Sequence, residues 1–205
     1  MLEMSPMDIE RASMTIIAKE LGQHSIPEEC LPIVMRVIHA TADFTFAENL
    51  CFSNDSPRLG KDALTRGVSV VTDTNMAASG INKKRRASRG GFVRCYMADA
   101  DVEQEALSRG TTRAVVAMEK AVREDPEAIF AIGNAPTALL RLCELVSEEK
   151  ARPALVVGVP VGFVNVVESK EVLMKTDVPW IVARGRKGGS TVAAAILNAL
   201  LYQQN

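Results

Sequence analysis

From residue 68 onward the chain alternates short, β-branched apolar runs with longer segments of helical periodicity, and no other feature limits the fold as strongly. Residues 68–72, 92–97, 128–132, 154–159 and 180–183 read as strands. Several are apolar along their length, as strands buried on both faces are. Helical segments separate them: a short one after Thr74, one or two within 101–123, then 136–146, 165–175 and 189–202. A succession of strand and helix implies a parallel sheet covered on both sides. The expected architecture is α/β and flavodoxin-like: three αβα layers, a mainly parallel five-stranded sheet and additional N-terminal helices. The 205 residues fit one domain, 1–205.

Upstream of the alternation the signals are helical. Ser5, Pro6 and Asp8 mark a helix start, followed by an apolar side of Ile9, Ala12, Ile16, Ile17 and Leu21. Pro27 is expected to open a second helix, with Glu28 and Glu29 in its first turn, Leu31, Val34 and Ile38 on one stripe, and an end near Ala42. Residues 43–52 fit either a short helix or an extended piece. Ser56 and Pro57 then cap a helix that ends at Gly67.

Composition narrows the function. With 47% hydrophobic but only 4% aromatic residues, the core must be aliphatic. A formal net charge of -1 argues against wholesale binding to nucleic acid or an anionic membrane, which need a positive excess. Cys30, Cys51, Cys95 and Cys143 are far apart and form no C-x-x-C pair, so neither zinc nor a redox dithiol is indicated. Reduced thiols in a cytoplasm are expected. The acidic opening, residues 1–8, argues against a signal peptide. The apolar stretch 153–167 is interrupted by Gly158, Pro160 and Gly162 and falls short of the ~20 residues needed to cross a bilayer.

Open parallel sheets bind ligands beyond the carboxyl ends of their strands. Those ends read 72–76, 98–99, 133–136 with Asn134, 160–163 and 184–190, all rich in small residues, Asn and Pro. In the last of them Arg184, Arg186 and Lys187 combine with Gly185, Gly188 and Gly189 before Ser190 at a helix start, where N–H groups and the dipole favour anions. Carboxylate or phosphate would suit it; a glycine-rich turn with solvated charges is the equal alternative. It lacks the G-x-x-x-x-G-K-[ST] spacing, and no G-x-G-x-x-G follows a strand, so a nucleotide enzyme is poorly supported.

Arg36 and His39, three residues apart on a helix, would present a fixed cation and an imidazole that exchanges protons near neutral pH. On these residues alone the alternative is a helix end with a capping His39 and a solvated Arg36. His24 falls in a polar connection and reads as solvated. The basic run Lys83, Lys84, Arg85, Arg86 and Arg89 reads as a loop, either a wet surface or a means of steering a polyanion. Arg113, behind Gly110, Thr111 and Thr112, is either exposed or reaches another element or subunit. Asp99, Asp101, Glu119 and Glu168 read as helix-start or surface carboxylates rather than an acid–base pair.

Taken together, the segments 35–40, 72–76 with Gly80 and Ile81, 110–113, 131–139, 158–163, 168–170, 184–186 and 188–190 resemble the precorrin-8X methylmutase family, including the cobalt-precorrin-8 methylmutases, over nearly the whole chain. Met14 departs from the family pattern, which commonly has Phe beside the serine matching Ser13. The resemblance implies a cofactor-independent isomerase that moves a methyl group from C11 to C12 of a corrin precursor in a suprafacial [1,5]-sigmatropic shift, giving hydrogenobyrinate or cobyrinate. It implies a homodimer and an anionic corrinoid substrate, with His39 as the catalytic proton donor. Substrate contacts map onto Ser13, Arg36 and Arg113; Asn134, Arg184, Arg186, Gly188, Gly189 and Ser190 join them as anion-holding positions. The rival readings are a corrinoid carrier in which His39 ligates cobalt, and a flavodoxin-like protein that binds flavin or another phosphate-bearing ligand.

Overall fold

Ser5 begins the part of the chain that the computed structural model describes, residues 5–203. Residues 1–4, half of the acidic opening read as lacking a signal peptide, lie outside the described residues. Helix α1 (Pro6–Leu21) starts as its sequence requires, with Ser5 Oγ accepting from Asp8 N and an acidic residue in the first turn. Helix α2 (Leu31–Thr41) starts later than expected. Residues 27–30 instead form a turn in which Pro27 O accepts from Cys30 N and Leu31 N at 2.9 and 3.1 Å. Pro32, which lacks an N–H, then falls in the first helical turn, where that loss is tolerated. The helix buries Ile33, Val34, Val37 and Ile38 and closes at Ala42 with φ 52°.

The stretch 43–52 does both things its sequence allowed. It makes a one-turn helix α3 (Phe46–Asn49) and then a short strand β1 (Leu50–Phe52). Next come α4 (Ser56–Thr65), β2 (Val70–Thr72), α5 (Asn75–Gly80), α6 (Lys83–Ala87), β3 (Val93–Arg94), α7 (Ala100–Arg109) and α8 (Arg113–Glu124). The chain ends with β4 (Ile129–Ile132), α9 (Pro136–Ser147), β5 (Leu155–Gly158), α10 (Val166–Leu173), β6 (Trp180–Ala183) and α11 (Ser190–Tyr202). Asp55, not Ser56, stands at the N-cap position of α4, without a side-chain capping bond, and the basic run expected as a loop contains α6.

The sheet has six strands rather than five, in the order β1-β6-β5-β4-β2-β3. All neighbours are parallel except β1, which pairs antiparallel with β6 in the register Leu50↔Ala183. The sequence leaves this edge strand undecided between helix and extended chain because it is three residues long and its partner lies far along the chain. Alternation along the strands divides the core. Val70, Ile129, Ala131, Leu155, Val157 and Ile181 face a layer built on α1, α2, α4 and α11. Val71, Phe130, Ile132, Val156 and Val182 face the layer of α7, α8, α9 and α10. No described helix is long and apolar enough to cross a membrane.

Chain order reverses between β2 and β4, because β2 pairs with β3 on one side and with β4 on the other. In open parallel sheets the carboxyl rim beside such a reversal is where ligands bind.

Candidate functional site

Three helices meet at that rim. Helix α2 packs along α11, and the approach of α5 to α11 is so close that a Cβ on Gly80 would lie 2.8 Å from Ala194 Cβ. Between them runs a groove of about 300 Å³ whose lining includes Arg36, Ala40, Met76, Ser190, Ala194 and Asn198. Small side chains keep its walls smooth. Met76, 71% exposed, is an apolar lip.

His39 is exposed in the last turn of α2, between the groove residue Ala40 and the core residue Ile38. Arg36, one turn back, is half-buried and lies 2.7 Å from Glu10 of α1. Ser13, one turn from Glu10 on the same side of α1, is half-buried and donates its hydroxyl to Ile9 O at 2.9 Å. The fold thus gathers Ser13, Arg36 and His39 on adjoining turns of two packed helices. Ser190 joins from α11, its hydroxyl 2.7 Å from Thr74 Oγ1, and Thr74 in turn caps α5 by accepting from Ala77 N.

The glycine-rich stretch 184–189 has an underpinning that sequence reading missed. Lys170 of α10 is fully buried and donates to Gly185 O at 2.7 Å and Lys187 O at 2.8 Å. Burial pushes its ammonium down to about 8. Lys187 reaches across to Asp43 and Thr45, just beyond α2. Gly188 lies against β5's exit, where a Cβ would overlap Val159 O, and Gly189 N donates to that same oxygen at 2.8 Å. Arg184 is exposed and 3.1 Å from Glu171, while Arg186 stacks on the exposed ring of Phe163 at 5.5 Å.

Asp73, directly after β2, is the second residue that sequence reading passed over. It is buried and accepts from Gly133 N, Asn134 N and Ala135 N at 2.9, 2.7 and 2.7 Å. Burial raises its carboxyl above the ordinary range, and the three N–H groups pull it back. These bonds join the loops after β2 and β4. They also occupy the Asn134 N–H, as Val159 O occupies that of Gly189, so these two expected anion-holding positions do not offer their N–H groups to a ligand. The exposed Asn134 side chain and the first N–H groups of α11, which precede the Ala193-to-Gly189 bond, remain. The signal for Asp73 was present: an acidic residue straight after a β-branched, fully buried strand must find donors at once.

Arg113 stands apart from the groove. It opens α8 on the other layer, 53% exposed by its side chain and 3.9 Å from Glu103. Glu119 pairs with Arg109 and Arg141, and Asp99 and Asp101 hold Lys120, so none of these carboxylates is a free acid or base. A hollow of about 460 Å³ beside the exposed His24 holds none of the expected site residues. The described residues contain no cluster of three or more His, Cys, Asp or Glu arranged to hold a metal ion.

The sequence profile of the precorrin-8X methylmutase family matches residues 8–203. A cobalt-precorrin-8 methylmutase of Priestia megaterium is 48% identical, over 97% of this chain and 88% of that protein. One from Salmonella typhimurium is 45% identical, over 96% and 95%. The solved precorrin-8X methyl mutase of Thermus thermophilus superimposes with a TM-score of 0.86 at 42% identity, covering 95% of this chain and 96% of that one. With the rim geometry and this whole-length agreement together, the chain belongs to the precorrin-8X methylmutase family.

Proposed function

We propose that this protein is an isomerase of cobalamin biosynthesis that shifts a methyl group from C11 to C12 of precorrin-8X or cobalt-precorrin-8, giving hydrogenobyrinate or cobyrinate. The observation that carries the reading is the placement of His39: an exposed imidazole on the carboxyl rim, one helical turn from a groove-lining arginine. A sigmatropic shift needs no nucleophile. It needs a conjugated ring held in one orientation and polarised, and proton donation from His39 to the macrocycle does the polarising. General acid catalysis is worth about 100- to 10,000-fold, so orientation must supply much of the rest.

The rim offers both halves of what an acidic tetrapyrrole requires. The smooth groove with Met76 receives ring surface, and Arg36, Arg186, the Asn134 amide and the start of α11 at Ser190 face its carboxylates. Each such charge-assisted bond is worth about 1.5–3 kcal/mol. Arg184 and Ser13 complete the cationic and hydroxyl contacts, while Gly188 and Gly189 shape the loop.

Taken without β1, the parallel strands follow the flavodoxin-like 2-1-3-4-5 order, and residues 1–205 act as one methylmutase domain. The active form is a homodimer in a cytoplasm. In support, Met76, Phe163 and Val164 are 71%, 83% and 77% exposed along the rim, and Leu107, 77% exposed, lies near Arg113. Incubating the purified protein with precorrin-8 and with its cobalt complex, separately, tests the function. The visible spectrum should move to that of the rearranged conjugation; an unchanged spectrum with both would refute it.

A further inference from the structure

The basic run 83–89 is a built part of the molecule rather than a loose charged loop. Arg86 is fully buried and donates to Leu64 O at 2.9 Å and to Val68 O, and Gly91 leaves the room its guanidinium occupies. That anchor fixes α6 against the turn between α4 and β2. A second set of bonds fixes it to α11. Asn82 N donates to Asn198 Oδ1 at 2.9 Å, Asn82 Nδ2 to Tyr202 Oη at 3.2 Å, and Asn198 Nδ2 to Gly80 O at 2.8 Å. Asn198 itself lines the groove.

The consequence is a pairing of cations around one ring. The Arg85 guanidinium lies 4.5 Å from the Tyr202 ring centre and the Arg36 guanidinium 5.1 Å from it. Glu10 neutralises Arg36 at 2.7 Å. Among the described residues no carboxylate pairs with Lys83, Lys84, Arg85, Arg86 or Arg89, in a protein whose formal net charge is -1. Glu10 thus offsets Arg36, while Arg85 shares the Tyr202 ring without a carboxylate partner among the described residues, so an added anion would find its charge unanswered there. Among the described residues the arrangement places cations without carboxylate partners beside the Asn198 end of the groove, on a segment anchored by Arg86 and Asn82.

We infer that the 82–89 segment is an outer anion-recognition arm of the same site, in which Arg85, set against Tyr202 beside Arg36, binds a peripheral carboxylate of the tetrapyrrole while Lys83, Lys84 and Arg89 draw the polyanion in. This rests on the proposed reading of the groove as the tetrapyrrole site. It makes Arg85 a determinant of how many, and which, carboxylates the ligand carries.

The test is steady-state kinetics on Arg85→Ala and Arg85→Lys, with Arg152→Ala, a cation just before β5 at the amino end of the strands, opposite the carboxyl rim, as the charge control. Arg85→Ala should raise KM about tenfold with kcat within about twofold of wild type, Arg85→Lys should recover most of the loss, and Arg152→Ala should change neither. The rise of KM with added salt should be shallower in Lys83→Ala/Lys84→Ala than in wild type. Titration with cobyrinate, followed by absorbance, should show the same order of affinities without turnover. A wild-type protein that turns over while Arg85→Ala keeps its KM overturns this proposal alone. A fall in kcat at unchanged KM would make Arg85 a prop for Tyr202 and overturn it too. Wild-type protein that neither turns over nor binds cobyrinate overturns the reading beneath it as well.

Discussion

Lys187 Nζ lies 2.6 Å from Asp43 Oδ2 and 2.8 Å from Thr45 Oγ1, so the loop bearing Arg184 and Arg186 is fastened to the chain just beyond the helix that carries His39. The hydrogen bond from Lys187, then those from Thr45, pull the Asp43 carboxyl down to about 2. A carboxyl lowered on folding contributes stability above its unfolded value near 4, and that contribution is lost as the pH falls towards 2. Asp43→Asn should therefore melt about 1–3 °C lower than wild type at neutral pH, with the gap closing near pH 2. Thermal melts across that range decide it; a gap independent of pH would show the bridge does not act this way.

Replacing His39 by Gln removes the imidazole and little packing, since the side chain is exposed. The expected result is a kcat lowered about 100- to 10,000-fold with a melting temperature near that of wild type. Rearrangement of the tetrapyrrole at undiminished speed would remove His39 from the mechanism.

Arg36→Ala should act on binding more than on turnover. The guanidinium lines the groove, and its loss also leaves Glu10, 48% exposed by its side chain, without its partner. A KM raised about tenfold or more, against a kcat changed by less, is the expected split. Unchanged affinity would contradict the role.

Lys170→Met tests the underpinning of the glycine loop. The variant strands the Gly185 and Lys187 carbonyls and should cost about 1–3 kcal/mol of stability while raising KM. Its pH profile adds an independent sign. A lysine held near 8 in the fold and near 10.4 when unfolded makes stability rise with pH between those values, because the unfolded chain binds the extra proton. Lys170→Met should lack that rise, which chemical denaturation at pH 7.5 and about pH 10 would reveal.

Gly188→Ala places a methyl group where Val159 O already sits. The loop must move, so both stability and substrate affinity should fall, stability by about 2 kcal/mol or more. A variant with wild-type melting and KM would mean the loop position does not matter.

Much of this molecule is a local property of its sequence. The β-branched run ending at Thr72 and the all-apolar runs ending at Ile132 and Ala183 announce buried parallel strands, and Ser5, Thr74, Thr112 and Gly110 announce helix ends, because period and capping act within a few residues. The whole-chain pattern of small segments also named the family. What stayed hidden depends on residues distant in sequence. Strand β1 exists because Leu50 meets Ala183, and Arg86, which reads as a surface charge in a basic run, is buried because the turn at Leu64 and Val68 offers carbonyls. Asp73 and Lys170 became supports of the rim only once strand order brought the loop after β4 beside β2, and α10 beneath the loop after β6. A sequence can state which residues prefer strand, helix or turn; it cannot state which buried donor meets which acceptor, since desolvated polar groups are satisfied by whatever the packed layers place within about 3 Å.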